Sequence, residues 1–144
     1  CAFRKDGVDL YTVPELPELL AEISWESPAL RACVAKDYFA VMLDNTKAGT
    51  VARAIVYDKK ANIVFDRTIA ESFDDFLIAD DRLVFYNAGA CLMMSLNGTL
   101  RYNGLLDGKT VKAIFPTEEK EKIMLLGEES VSTIRFIHTQ EDKR

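Results

Sequence analysis

The chain has 144 residues, of which 49% are apolar, 10% aromatic and 28% charged, and its formal net charge is −5. That is about one ordinary domain, with enough apolar material for a real core. The apolar runs, such as Leu83-Val84-Phe85-Tyr86, fall far short of the roughly 20 residues a membrane-crossing helix needs. Lysines and arginines are scattered among acids, which is not the basic footprint of a nucleic-acid binder and also disfavours anionic membrane surfaces. No nucleic acid and no direct membrane contact are therefore expected.

The opening Cys-Ala-Phe-Arg-Lys-Asp does not read as a basic region followed by the apolar stretch of a secretory leader. A lipid anchor on Cys1 would ordinarily precede a flexible polar linker, whereas Cys1 leads straight into strand-like sequence. The expectation is a piece of a longer protein, with Cys1 at a truncation or processing point.

Residues 1–13 predict two short strands around Lys5-Asp6-Gly7, an Asp-Gly turn signal. Pro14 and Pro17 mark a turn. Leu16 to Trp25 fits two periods: Leu16, Leu19, Leu20 and Ile23 are helical in spacing, and Leu19, Ala21, Ile23 and Trp25 alternate as a strand. Its place in the repeat described below favours a strand. After Ser27-Pro28, strands are predicted at Leu30 to Val34 and Tyr38 to Leu43, turning at Lys36-Asp37, with a polar loop over Asp44 to Gly49. Val51 to Asp58 and Ile63 to Ile69 follow, and then Phe73 to Ile78 and Arg82 to Tyr86. Cys91 to Leu96 and Thr99 to Tyr102 flank Asn97-Gly98, a strong hairpin signal because both residues tolerate positive φ. Val111 to Phe115, Lys122 to Leu126 and Val131 to Ile137 complete about fourteen strands, ahead of a polar tail over 138–144. No segment reads clearly as a helix, and turns every 8 to 12 residues are an all-β signature.

A unit of strand, turn and strand recurs at Val8 to Trp25, Ala54 to Ile69 and Cys91 to Tyr102. Repetition of this kind signals one supersecondary unit used several times. Cys91-Leu92-Met93-Met94 is apolar at consecutive positions, so both faces of that strand are expected to be covered. Blades packed between blades provide such cover.

The runs Ala54-Ile55-Val56-Tyr57-Asp58 with Ile63-Val64-Phe65-Asp66, and Leu92 to Tyr102, resemble quinoprotein-like and WD40-like β-propellers. The pattern is most similar to the C-terminal blades of an uncharacterised bacterial family with an amino-terminal transmembrane anchor. Asp107 to Ile137, containing Val111-Lys112-Ala113-Ile114-Phe115-Pro116, resembles that family's carboxy-terminal end. The resemblance implies a partial β-propeller of three to four four-stranded antiparallel blades, at about 1–25, 29–69, 73–104 and 110–137. It also implies a membrane-tethered parent with this part outside the cytoplasm. A β-sandwich is the alternative fold. The quinoprotein name suggests a quinone, but the Gly-Lys-x-x-Trp docking motif is absent, so no cofactor is expected.

Candidate chemistry is sparse. Cys1, Cys33 and Cys91 are widely spaced and His138 is the single histidine, which argues against zinc. Cys33 and Cys91 sit in apolar runs and read as small buried hydrophobes, with a Cys33–Cys91 disulfide as the alternative. Asp74-Asp75 and Asp80-Asp81 are paired acids, but strand neighbours point to opposite faces and Asp favours turns, so no metal site is assigned. His138 lacks a recognisable nucleophile motif nearby, and Gly-x-Ser-x-Gly and Gly-rich phosphate loops are absent. Glu118-Glu119-Lys120-Glu121-Lys122 reads as a solvated loop. Asn97-Gly98-Thr99 matches a glycosylation acceptor, but its turn role accounts for it. Trp25, Tyr57, Phe85, Tyr86 and Tyr102 are expected in inter-blade packing. No catalytic, cofactor or metal residue is assigned. The functional expectation is a non-enzymatic scaffold for protein interaction at the bacterial cell surface. A small-ligand or cell-wall glycan sensor is one alternative, and part of an enzyme whose catalytic residues lie in missing N-terminal blades is another. Exposed blade faces raise self-association as a further expectation.

Overall fold

The computed structural model describes residues 1–13, 16–106, 110–119 and 122–135. Sheet 1 comprises β1 (Ala2–Arg4), β2 (Gly7–Tyr11) and β3 (Leu19–Ser24). Sheet 2 comprises β4 (Ala29–Val34), β5 (Tyr38–Asp44), β6 (Ala52–Asp58) and β7 (Ile63–Ile69). Sheet 3 holds β8 (Asp75–Ala79), β9 (Arg82–Tyr86), β10 (Ala90–Ser95) and β11 (Leu100–Leu105), and sheet 4 holds β12 (Val111–Pro116), β13 (Lys122–Gly127) and β14 (Val131–Arg135). Every neighbouring pair is antiparallel and consecutive in the chain, so each sheet is a meander. The chain is all-β as expected. A 3-10 turn at Thr46–Ala48 interrupts the predicted polar loop.

Three apolar cores separate the four sheets. Val8, Leu10 and Trp25 of the first segment meet Phe39, Val41, Leu43, Ile55 and Tyr57 of sheet 2. From the opposite face of sheet 2, Ala40, Met42, Ala54 and Phe65 meet Phe76, Leu83, Phe85 and Leu92 of sheet 3. Val84, Tyr86, Cys91 and Met93 of sheet 3 then meet Ile114, Ile123 and Leu125 of sheet 4. Alternation along β9 and β10 thus sends successive side chains into different cores, because neighbours in a strand point to opposite faces. This explains the unbroken apolar runs. The four-sheet stack accords with a partial propeller, and its middle pair taken alone accords with a sandwich.

Local chemistry sets the connections. Leu19–Ser24 is a strand, because its register on β2 directs Ala21 and Ile23 into the first core. Asp80 takes positive φ (54°) in the two-residue turn between β8 and β9. The Asn97-Gly98 hairpin differs from the expected two-residue turn. Only Gly98 is left-handed (φ 87°), while its N–H donates to Ser95 O at 2.8 Å and Ser95 N donates to Thr99 O at 2.9 Å. The result is a three-residue loop closed by a left-handed glycine bulge. A second Asn-Gly pair, Asn103-Gly104, makes no turn and lies inside β11. Val111 N donates to Ala88 O at 2.9 Å and so ties sheet 4 to the loop before β10, where Leu106 N, just past β11, also donates to Gly89 O at 2.8 Å.

Candidate functional site

Antiparallel pairing sets Tyr38 of β5 opposite Asp58 of β6. This brings the β4–β5 turn and the β6–β7 turn to the same end of sheet 2. Sheet 1 approaches that end without closing it, leaving an open cleft of about 350 Å³. Leu10, Tyr11, Leu20, Val34, Tyr38 and Phe39 supply its apolar and aromatic lining. Val34 and Leu20 remain 64% and 57% exposed, and Val13 beside them is 99% exposed. A shallower hollow of about 330 Å³ shares Asp37, Tyr38, Asp58 and Lys59 and continues the cleft outward.

The rim is charged and locally ordered. Lys59 Nζ lies 2.7 Å from Asp37 Oδ1, and this hydrogen bond holds the Asp37 carboxyl below the usual carboxylate range. Asp58 accepts from Asn62 Nδ2 at 2.9 Å, and from the backbone N–H groups of Lys60 and Asn62 at 2.8 and 2.9 Å. The Asn62 side-chain bond leads in lowering its pKa. The same carboxylate organises the loop in which Ala61 adopts φ 65°. Behind the cleft, Phe39 stacks on Tyr57 with centroids 4.7 Å apart and planes 7° from parallel. Trp25 Nε1 donates to Tyr57 Oη at 3.2 Å. Burial raises the Tyr57 pKa, keeping the phenol neutral. The support is therefore stiff, because buried aromatic stacking and a satisfied polar pair fix one arrangement.

A family model described as "Family of unknown function (DUF5711)" matches residues 1–136. The chain belongs to this family. No curated protein matches it. The family description carries neither the quinoprotein nor the WD40 name.

Residues singled out in this family member's sequence are dispersed. Asp75 Oδ1 accepts from Phe76 N at 2.8 Å and Oδ2 from Tyr86 Oη at 3.4 Å. Asp80 and Asp81 form a turn, and Asp81 O accepts from Leu96 N at 2.8 Å. Among the described residues no group of three or more His, Cys, Asp or Glu is placed to hold a metal ion. His138, Lys120 and Glu121 lie outside the described residues. Glu119 is more than a solvated loop residue: it reaches Lys122 Nζ and Arg135 Nη2, both at 2.6 Å, and clips β13 to β14. Cys33 packs partly against the second core while Cys91 is buried in the third, and both are free thiols pushed up to about 12 chiefly by burial. Trp25, Tyr57, Phe85 and Tyr86 all enter intersheet cores, and Tyr102 packs against the third.

The cleft itself was not singled out in the sequence. Its turns are visible there as Lys36-Asp37 and Lys59-Lys60-Ala61-Asn62, but their adjacency depends on strand register. The one local signal is Val34, an apolar residue that ends β4 two positions before a charged turn.

Proposed function

We propose that the chain is a non-enzymatic scaffold, a partial β-propeller whose sheet 1–sheet 2 cleft binds an extended apolar segment of a protein partner. The observation that supports this reading is the cleft lining: Leu20 and Val34 stay exposed on a support stiffened by Trp25, Phe39 and Tyr57. Apolar side chains presented in a concave, preformed site are the usual anchor points of recognition. The Lys59–Asp37 pair at the rim orients a partner more than it adds affinity, since exposed ion pairs contribute little. By resemblance, this site belongs outside the cytoplasm on a membrane-tethered parent at the bacterial surface.

The test is crosslinking and capture from native membranes with the wild-type chain and Val34→Glu. The expected result is a reproducible partner lost with Val34→Glu while the thermal midpoint stays within about 2 °C, as for an exposed substitution. Equal capture by both proteins, or no specific partner, sinks the reading. A glycan reading has one observation in its favour: Tyr11 and Tyr38 share the cleft with Asp37 and Asp58, combining sugar-stacking rings with hydroxyl acceptors. A saturable thermal shift with cell-wall oligosaccharides would replace the protein partner by a saccharide.

A further inference from the structure

Sheet 3 contains an arginine in an unusual position. Arg82 of β9 is 8% exposed, and its Nε has no hydrogen-bond partner. Among the described residues no hydrogen bond or ion pair reaches its guanidinium. Arginine stays protonated in proteins, so this group cannot escape burial by losing its proton as a lysine would. A buried charge of this kind needs an opposite charge or a full set of acceptors.

Its surroundings offer hydrogen-bond donors. Arg82 lies directly across from Ser95 of β10, so the two side chains share a face, the one turned toward sheet 4. Ser95 is 3% exposed. Arg101 of β11 reaches the same point, with Nε donating to Ser95 Oγ at 2.6 Å. That contact uses an acceptor position of the hydroxyl and leaves its hydrogen to donate elsewhere. Arg101 thereby fixes the hydroxyl of the residue paired with Arg82.

We propose that Arg82 and Ser95, the serine held in place by Arg101, form a binding site for a small oxyanion group, a phosphate or a carboxylate. The planar Arg82 guanidinium matches the paired oxygens of both groups, and the serine hydroxyl adds a further donor. The site lies on sheet 3 and is independent of the cleft between sheets 1 and 2. The anion would give the buried Arg82 Nε the acceptor it lacks among the described residues.

Thermal unfolding of the full chain tests the proposal at constant ionic strength, with sodium chloride as reference to remove screening effects. One arm uses inorganic phosphate, and the other a short peptide with a free C-terminal carboxylate beside its amide. The expected result is a midpoint raised by about 3 °C or more in at least one arm. A response to phosphate assigns a phosphate group, and a response to the acid peptide but not its amide assigns a carboxylate. The rise should vanish in Arg82→Met. That variant in chloride alone should unfold at or above the wild-type midpoint, because an uncompensated charge has been replaced by an apolar chain. In the wild type, the Arg82 Nε–H resonance should shift saturably with the active probe, which keeps the test valid if the variant folds poorly. The proposal is overturned if neither probe exceeds chloride, if the resonance does not move, or if Arg82→Met retains the full rise. A fall of more than about 5 °C for a folded Arg82→Met in chloride also overturns it, since Arg82 would then be stabilising without an anion.

Discussion

The two middle sheets and the two end sheets solve different packing problems with similar strands. β5, β6 and β9 bury nearly every side chain, because sheets 2 and 3 each lie between two neighbours. β3 and β14 alternate between exposed and part-buried positions. The end faces also differ from each other. On the outer face of sheet 1, Arg4 bridges Asp9 at 3.2 Å and Glu22 at 3.1 Å, so that face is polar. The outer face of sheet 4 carries Phe115 beside Met124 and Leu126 beside Val131, an apolar strip next to the Glu119–Lys122–Arg135 clip. On sheet 1, charged residues occupy outward positions that a further sheet would need for a core. Two-sided burial, rather than strand propensity, accounts for the difference between an unbroken apolar run and an alternating one.

The comparison breaks first if a middle-sheet aromatic can be removed cheaply. Phe85 is fully buried and stacks on Phe76 at 5.6 Å, so Phe85→Ala should cost about 3–5 kcal/mol in urea unfolding. Phe115→Ala, at an exposed outer position, should cost well under about 1 kcal/mol. Similar values for the two would show that sheets 3 and 4 are covered alike.

Gly7 sharpens the contrast on sheet 1. A Cβ there would stand 2.2 Å from Ile23 O and 2.8 Å from Arg4 Nη2. Gly7→Ala should therefore cost about 1–3 kcal/mol, as overpacking does, although it sits in an end sheet. A neutral result would mean that the β2–β3 approach and the Arg4 bridge relax freely.

The buried thiols probe the middle sheets by pH. Burial pushes the Cys33 and Cys91 thiols up from the ordinary 9.0 to about 12. Above pH 9 the unfolded chain releases these protons while the folded chain keeps them, so stability falls as pH rises from about 9 to 12. The slope should be at most about 1.4 kcal/mol per pH unit for each thiol, and Cys91→Ala should flatten it. At pH 8 a thiol reagent should label Cys1 rapidly and reach the other two only after denaturation. Fast labelling of all three in the native protein would contradict tight middle-sheet packing.

The smallest effect belongs to the outer rim of sheet 2. Arg53 makes a two-pronged contact with Asp66, at 2.7 and 2.6 Å, which lowers the Asp66 pKa. Its contribution is therefore present above the unfolded Asp value and is lost as pH falls through the lowered one. With both side chains a third or more exposed, a double-mutant cycle should give only about 0.2–1 kcal/mol. A larger coupling would extend the rigid core to the rim.

Much of the fold was legible residue by residue. Cys91-Leu92-Met93-Met94 signalled a strand covered on both faces, and both its faces are covered. The Asn97-Gly98 turn was correctly placed but not its geometry, since which residue takes positive φ depends on the hydrogen bonds that close the loop. Asn103-Gly104 shows the converse, where pairing of β11 with β10 overrides a turn signal. The cleft and the Arg82–Ser95–Arg101 group were not legible, because both depend on residues from separate strands meeting in register.

By itself the sequence determined the all-β class, the strand positions and the aromatic residues committed to cores, because alternation and turn chemistry act over a few neighbouring residues. Only the tertiary structure decided which face of each sheet is covered, where sheet 1 leaves a cleft, and which arginine is buried. Those outcomes depend on contacts between residues far apart in the chain, such as Trp25 with Tyr57. No local pattern specifies such meetings; packing one sheet on the next does.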